Sequence, residues 1–141
     1  MVAFVTLVVI GFAGVAAVIV YGRRRPVGAP VSWGQAMLAA TFAMFMFFWW
    51  YAVIPHQWLT WASAGPPDGL GWTVDNILLE PNDWQPLTIS YQTVRDIAVV
   101  LIYGVGIAIH VGLWAWWNDR AKPRPVAVPA SRYGRPLVRK G

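Results

Sequence analysis

The stretch AATFAMFMFFWWYAVIPHQWLTW, Ala39 to Trp61, decides the class of fold. Its first half is apolar on every side of a helix, and its second half gathers Trp49, Trp50, Tyr51, His56, Trp58 and Trp61 around Pro55. A helix that is hydrophobic all round and then breaks into amphipathic rings is the pattern of a segment that crosses hydrocarbon and leaves it through the interface. Proline lacks an amide hydrogen and restricts the residue before it, so Pro55 predicts a stop or a kink at that surface.

Outward from this stretch the pattern repeats twice. MVAFVTLVVIGFAGVAAVIVY opens the chain without a charge and predicts a helix over 2–21, long enough at about 1.5 Å per residue to cross about 30 Å of hydrocarbon. Charge arrives only at its far end, as Arg23, Arg24 and Arg25, the reverse of a secretory signal, so the helix reads as retained. Gly11, Ala13, Gly14 and Ala17 give it narrow faces for close helix approach. In SWGQ, Ser32 and Gln35 have the spacing of a capping box, which starts a second helix over 32–54. VRDIAVVLIYGVGIAIHVGLWAWW predicts a third over 94–117.

The intervening loop, 56–93, carries turn material in GPPDGLG and PNDWQP, and its segment TVDNILLE is expected to form a turn or two of helix. Trp58, Trp61, Trp72 and Trp84 make that loop an aromatic cap. The expected fold is therefore an all-α membrane protein with one three-helix domain over 1–117. An extended, basic, proline-rich tail follows over 118–141.

Composition supports the class. Of 141 residues 57% are apolar and 12% charged, with a mean hydropathy of +0.49, against roughly a quarter charged in soluble domains. No cysteine is present, which removes disulfides, thiolate metal sites and thiol nucleophiles. The net charge of +5 is segregated: ten of eleven basic residues lie in the linker 23–25 and the tail, and five of six acidic residues lie between Asp68 and Asp96. Under the positive-inside bias this places the amino terminus and the loop outside and the linker and tail in the cytoplasm, in a multi-pass arrangement expected for a bacterial plasma membrane. Arg120, Lys122, Arg124, Arg132 and Arg135 of the tail are expected to meet an acidic partner surface or anionic lipid. The tail lacks a nucleic-acid-binding motif, so no nucleic-acid partner is expected.

Two histidines are the candidates for chemistry. His110 is the ionisable side chain set within a crossing helix away from its ends, and it shares a helical face with Tyr103, Gly106, Trp114 and Trp117. Gly104, Ala108 and Gly112 form a separate narrow stripe on which a second helix can pack. The bland reading of His110 is a hydrogen bond to a backbone carbonyl or hydroxyl. The sharper ones are a haem ligand shared with another subunit, or a wall of a quinone or proton route. His110 is expected to face protein, most of all another subunit, without carrying iron.

His56 with Trp58, in PHQW, sets polar donors beside flat apolar rings and reads either as interfacial anchoring or as contact with a quinone head group. The pair cannot serve one iron, since His110 lies roughly 24 Å along its helix from the surface that His56 occupies. Arg95 and Asp96 read as anchors at the start of the third helix. No metal site is assigned. The chain contains no phosphate loop, nucleophile elbow, HExxH or converging carboxylates, so it is not expected to be an enzyme by itself.

With YAVIPHQWLTW as its most distinctive string, the layout over Val2–Trp117 resembles small accessory membrane subunits of bacterial respiratory or other electron-transfer complexes. The resemblance implies a non-catalytic, stabilising subunit bound to larger redox subunits. Such a subunit holds structural lipids and borders a quinone or haem site at an interface, while binding no cofactor alone. The alternatives are a directly redox-active haem- or quinone-binding subunit, and a lipid-surface or assembly factor without a redox role.

Overall fold

The computed structural model describes residues 1–121; the tail residues Lys122, Arg124, Arg132 and Arg135 lie outside them. The chain is mostly helical: α1 (Val2–Arg24), α2 (Trp33–Phe48), a π-helical turn (Trp49–Val53), α3 (Ile54–Ser63) and α4 (Tyr91–Ala121). A two-stranded ribbon, β1 (Ile77–Leu79) and β2 (Ile89–Ser90), joins α3 to α4. Three helical rods, Val2–Arg24, Trp33–Ser63 and Tyr91–Arg120, are long and apolar enough to cross a membrane, as a multi-pass membrane protein requires.

The capping box forms as its spacing predicts. Ser32 Oγ accepts from the Gln35 amide and Gln35 Oε1 accepts from the Ser32 amide, both at 3.3 Å. The expected stop at Pro55 does not occur, and the second rod runs on to Ser63. A proline inside an α-helix collides with the carbonyl four residues back and leaves it without a donor. Here the turn before it widens, with the Ile54 amide bonding the Trp49 carbonyl five residues back, so the backbone makes room and Pro55 is buried in the continuing rod.

Widening also re-aims three consecutive rings. Trp49 Nε1 donates to the Leu7 carbonyl on α1 at 3.0 Å, Trp50 enters the core, and Tyr51 meets α4. The core is Met46, Trp50 and Ile54, spaced by four along the second rod. Gly11 and Gly14 of α1 receive it: a Cβ on Gly11 would lie 3.2 Å from the Trp50 ring, and one on Gly14 would overlap Met46. Ala13 and Ala17, expected to share that approach, are exposed instead. Large apolar side chains such as Phe48, Met44 and Leu101 are more than 60% exposed, an arrangement suited to lipid rather than water.

After α3 the chain turns back and satisfies the carbonyls that helix leaves open. Leu70, Gly71 and Trp72 amides donate to the carbonyls of Trp61, Ala64 and Ala62 at 3.4, 2.7 and 2.8 Å. Gly71 sits at φ +66, the left-handed conformation this reversal needs. The helix expected in TVDNILLE is absent: Ile77 and Leu79 pair antiparallel with Ser90 and Ile89. Ile77, Leu78, Leu79 and Glu80, cut off by Pro81, are too few to nucleate a helix, and the Asn76 carbonyl is already taken by the Tyr91 amide at 2.8 Å. The ribbon is a small addition to the expected all-α architecture.

Candidate functional site

The residues with chemical potential fall in three places, and the first is the seam between the second rod and α4. Tyr51 leaves the π-helical turn toward α4 and lies flat over Gly106, where an added Cβ would stand 3.3 Å from the ring. A larger residue at this position would press on the phenol, which would have to give by a few tenths of an ångström. One helical turn further, His110 stacks on Phe47 with ring centroids 4.5 Å apart and planes 16° from parallel. Phe47 and Tyr103 each stack on Tyr51, at 6.0 and 6.1 Å, so Tyr103, Tyr51, Phe47 and His110 form a ladder of rings across the seam.

The polar heart of the ladder is His110 Nδ1. It lies 2.7 Å from the Gly106 carbonyl and 3.4 Å from the Tyr51 hydroxyl. A carbonyl only accepts, so Nδ1 carries the proton, and in the neutral ring Nε2 keeps the lone pair. Nε2 has no hydrogen-bond partner among the described residues, and the side chain is half-buried. The arrangement presents one fixed acceptor nitrogen beside a phenol, framed by flat rings, and can receive a hydroxyl proton or hold a metal from outside the chain.

His110 thus meets Gly106 and Tyr51 of its own chain, as the hydrogen-bonded reading requires. The glycine that matters is Gly106. Among the described residues Gly104 and Gly112 have nothing within 4 Å of a built Cβ, and Ala108 is exposed, so that stripe packs on none of the described helices. Helical counting points to the Gly104–Ala108–Gly112 stripe because Gly106 is flanked on its own face by Tyr103, Trp114 and Trp117, and nothing in the pattern shows that a ring from another rod fills the gap at Gly106.

At the loop end, Trp58 is absorbed by the fold. Its indole donates to the Arg95 carbonyl at 3.1 Å, and its ring packs on Phe4, Trp61 and Trp72 at 5.5, 5.6 and 6.1 Å. His56 is exposed, and its carbonyl accepts from the Thr60 hydroxyl at 2.9 Å. Five residues beyond Tyr51, it stands about 7.5 Å further along the rod and is not brought to His110. Arg95 ties the two rods together, donating to Ser63 Oγ at 2.8 Å while pairing with Asp96 at 2.7 Å. Among the described residues no three His, Cys, Asp or Glu side chains converge on a metal position.

The third place is the arginine end. Arg120 lies over Trp116 and Trp117, 5.2 and 4.9 Å from the ring centroids, and donates to the Arg25 carbonyl at 2.8 Å. Trp117 stacks on Tyr21 at 6.4 Å, so α4 is clamped to α1 where the hydrophobic runs end. Arg120, the first of the basic residues expected to meet a partner or lipid, also locks the bundle from within. No known protein family, curated protein or solved structure matches this chain.

Proposed function

We propose that the chain is a non-catalytic accessory subunit of a multisubunit membrane electron-transfer complex, bordering a quinone site with the His110–Tyr51 seam. The observation that carries this is the half-buried His110, whose Nε2 is polar, oriented and without a hydrogen-bond partner among the described residues. Hydrocarbon cannot satisfy such a nitrogen, and a bilayer-facing polar atom is costly. A partner subunit against this flank removes that cost, and a quinol between them meets an acceptor at Nε2, a phenol at Tyr51 and flat ring surfaces. Gly104 and Gly112, with no described residue within 4 Å of a built Cβ, and the exposed Ala108 then form a second surface on which a partner helix can rest. Trp58 is withdrawn from the quinone contact by its own packing, and His56 is left as a surface contact.

One feature favours a second reading. A histidine whose Nδ1–H is held by a backbone carbonyl has the tautomer and fixed orientation of a metal-ligating imidazole, so Nε2 can serve as one axial ligand of a haem whose other ligand comes from a partner. Copurification in mild detergent with an optical spectrum separates these readings. Redox subunits should accompany the chain, and His110→Ala should lower their recovery or slow quinone turnover with haem content unchanged. His110→Asn, which retains a donor toward Gly106, should recover part of the loss. A haem band that disappears with His110 transfers the function to the second reading. Copurification of no redox subunit overturns both and leaves a lipid-surface or assembly role.

The segregation of charge supports a bacterial plasma-membrane topology with the amino terminus and the 64–90 segment outside and the linker and tail in the cytoplasm. Reporter fusions at Gly28 and Gly134 should report inside and a fusion at Gly69 outside. A linker found outside reverses the arrangement.

A further inference from the structure

The linker between α1 and α2 closes on itself around Arg25. This guanidinium donates to the Tyr21 hydroxyl at 2.5 Å and to the carbonyls of Ala29 and Pro30 at 3.1 and 2.9 Å, and it lies 5.9 Å over the Tyr21 ring. Its own carbonyl is held from the other side by Arg120. Gly28, at φ +81, turns the chain within this ring. A proline- and glycine-rich connection is thereby fixed as a rim, and beneath it is a depression of about 340 Å³ lined by Tyr21, Arg24, Arg25, Ala29, Pro30 and Gln35.

The two arginines of this depression have different duties. Arg25 uses its donors on the protein and so sets the shape. Arg24 is exposed, with no hydrogen bond or ion pair among the described residues, and its planar fork is the donor set that matches a phosphate. Five of the chain's six carboxylates lie between Asp68 and Asp96, beyond the other end of the rods, and the sixth, Asp119, sits beside Arg120 at this end but is not among the residues that line the depression. The volume falls at the lower end of the roughly 300–1,000 Å³ of small-molecule sites.

Position selects the ligand. The depression lies at the last turn of an apolar rod, at the level marked by Tyr21, Trp33, Trp116 and Trp117, where aromatic residues mark the head-group layer. Its walls pair guanidinium with the Tyr21 ring and the apolar faces of Ala29 and Pro30, a mixture suited to a phosphate that continues into glycerol and acyl chains. We propose that this depression is a binding site for the phosphate of an anionic glycerophospholipid, with Arg24 as the free donor, Gln35 as a second polar contact and Arg25 as the frame. The inference rests on membrane insertion alone and is independent of any redox partner.

The test uses the full-length, delipidated chain in detergent, offered phosphatidylglycerol or phosphatidylcholine, with retained lipid read by native mass spectrometry. Phosphatidylglycerol should be retained in preference. Arg24→Gln should weaken it by about tenfold, the loss of a charge-assisted hydrogen bond. Arg23→Gln, which removes the same charge outside the depression, should change it by about twofold at most. Because Arg24 makes no hydrogen bond or ion pair among the described residues, the variant should keep the wild-type circular dichroism. Equal losses in the two variants reduce the effect to diffuse charge and overturn the site. So does equal retention of phosphatidylcholine, and displacement of the lipid by millimolar inorganic phosphate makes it a soluble-phosphate site instead.

Discussion

Trp50→Ala is expected to cost the bundle about 2–3 kcal/mol, below the roughly 3–5 kcal/mol of such truncations in water-soluble cores. The reduction follows from the solvent: lipid chains are as apolar as the core, so the transfer term is small and the lost dispersion and the cavity remain. The side chain is only 2% exposed, with Gly11 of α1 beneath its ring and Phe12 edge-on at 5.2 Å. Its removal takes away the piece that α1 and the second rod share, and α1 should separate first. The measurement is unfolding in mixed micelles, followed by helicity as denaturing detergent is added.

The companion variant is more discriminating. The Trp50 Nε1 is buried without a hydrogen-bond partner among the described residues, so the ring contributes packing while its N–H is a standing cost. Trp50→Phe removes the donor and keeps most of the ring, and should stay within about 1 kcal/mol of wild type. Trp49→Phe makes a similar change in size but loses the bond to the Leu7 carbonyl, and should be the worse of the two. If Trp50→Phe proves as damaging as Trp50→Ala, the indole donor has a partner in the membrane and the packing account of this position is wrong.

These positions also mark what could be read from sequence. Three rods were legible because each contains an apolar run long enough to leave hydrocarbon no polar atom to meet, a property of composition and length. The end of the second rod was not legible, because Pro55 normally stops a helix and the remedy is a change of backbone hydrogen-bonding from Trp49 to Ile54 that no side-chain pattern announces. The same widening decides that Trp49, Trp50 and Tyr51 serve different neighbours. His110 stands out in the sequence as the ionisable residue of α4 away from its ends and shares its face with Gly106 and Tyr103, but the identity of the surface opposite depends on the Tyr51 ring arriving from a π-helical turn. TVDNILLE misled because Val74, Ile77 and Leu78 fit a helical period over a segment too short to nucleate one. The ribbon pairing depends on Ile89 and Ser90, a dozen residues away.

At the arginine end the decisive residue is a glycine that carried no motif. Gly22 is buried, and a Cβ there would come within 2.6 and 2.9 Å of Trp116 Cη2 and Cζ3 and 3.1 Å of Arg120 Nη1. The obstacle is stiff: Trp116 is covered by the Arg120 guanidinium and stands edge-on to Trp117, which stacks on Tyr21. Gly22→Leu therefore cannot be absorbed by one rotamer change. It should pry α4 from α1, break the Arg120 bond to the Arg25 carbonyl and cost about 1–3 kcal/mol of overpacking. Gly104→Leu adds the same side chain where no described residue lies within 4 Å of a built Cβ, and in the isolated chain it should change stability by less than about 0.5 kcal/mol. Unfolding of the two purified variants in micelles reads the difference directly. Loss of partner recovery in Gly104→Leu, with the isolated chain intact, would place a neighbouring helix on the Gly104–Ala108–Gly112 stripe. Loss of stability in the isolated Gly104 variant, with Gly22→Leu unaffected, would mean that α4 meets α1 and the second rod through the opposite face.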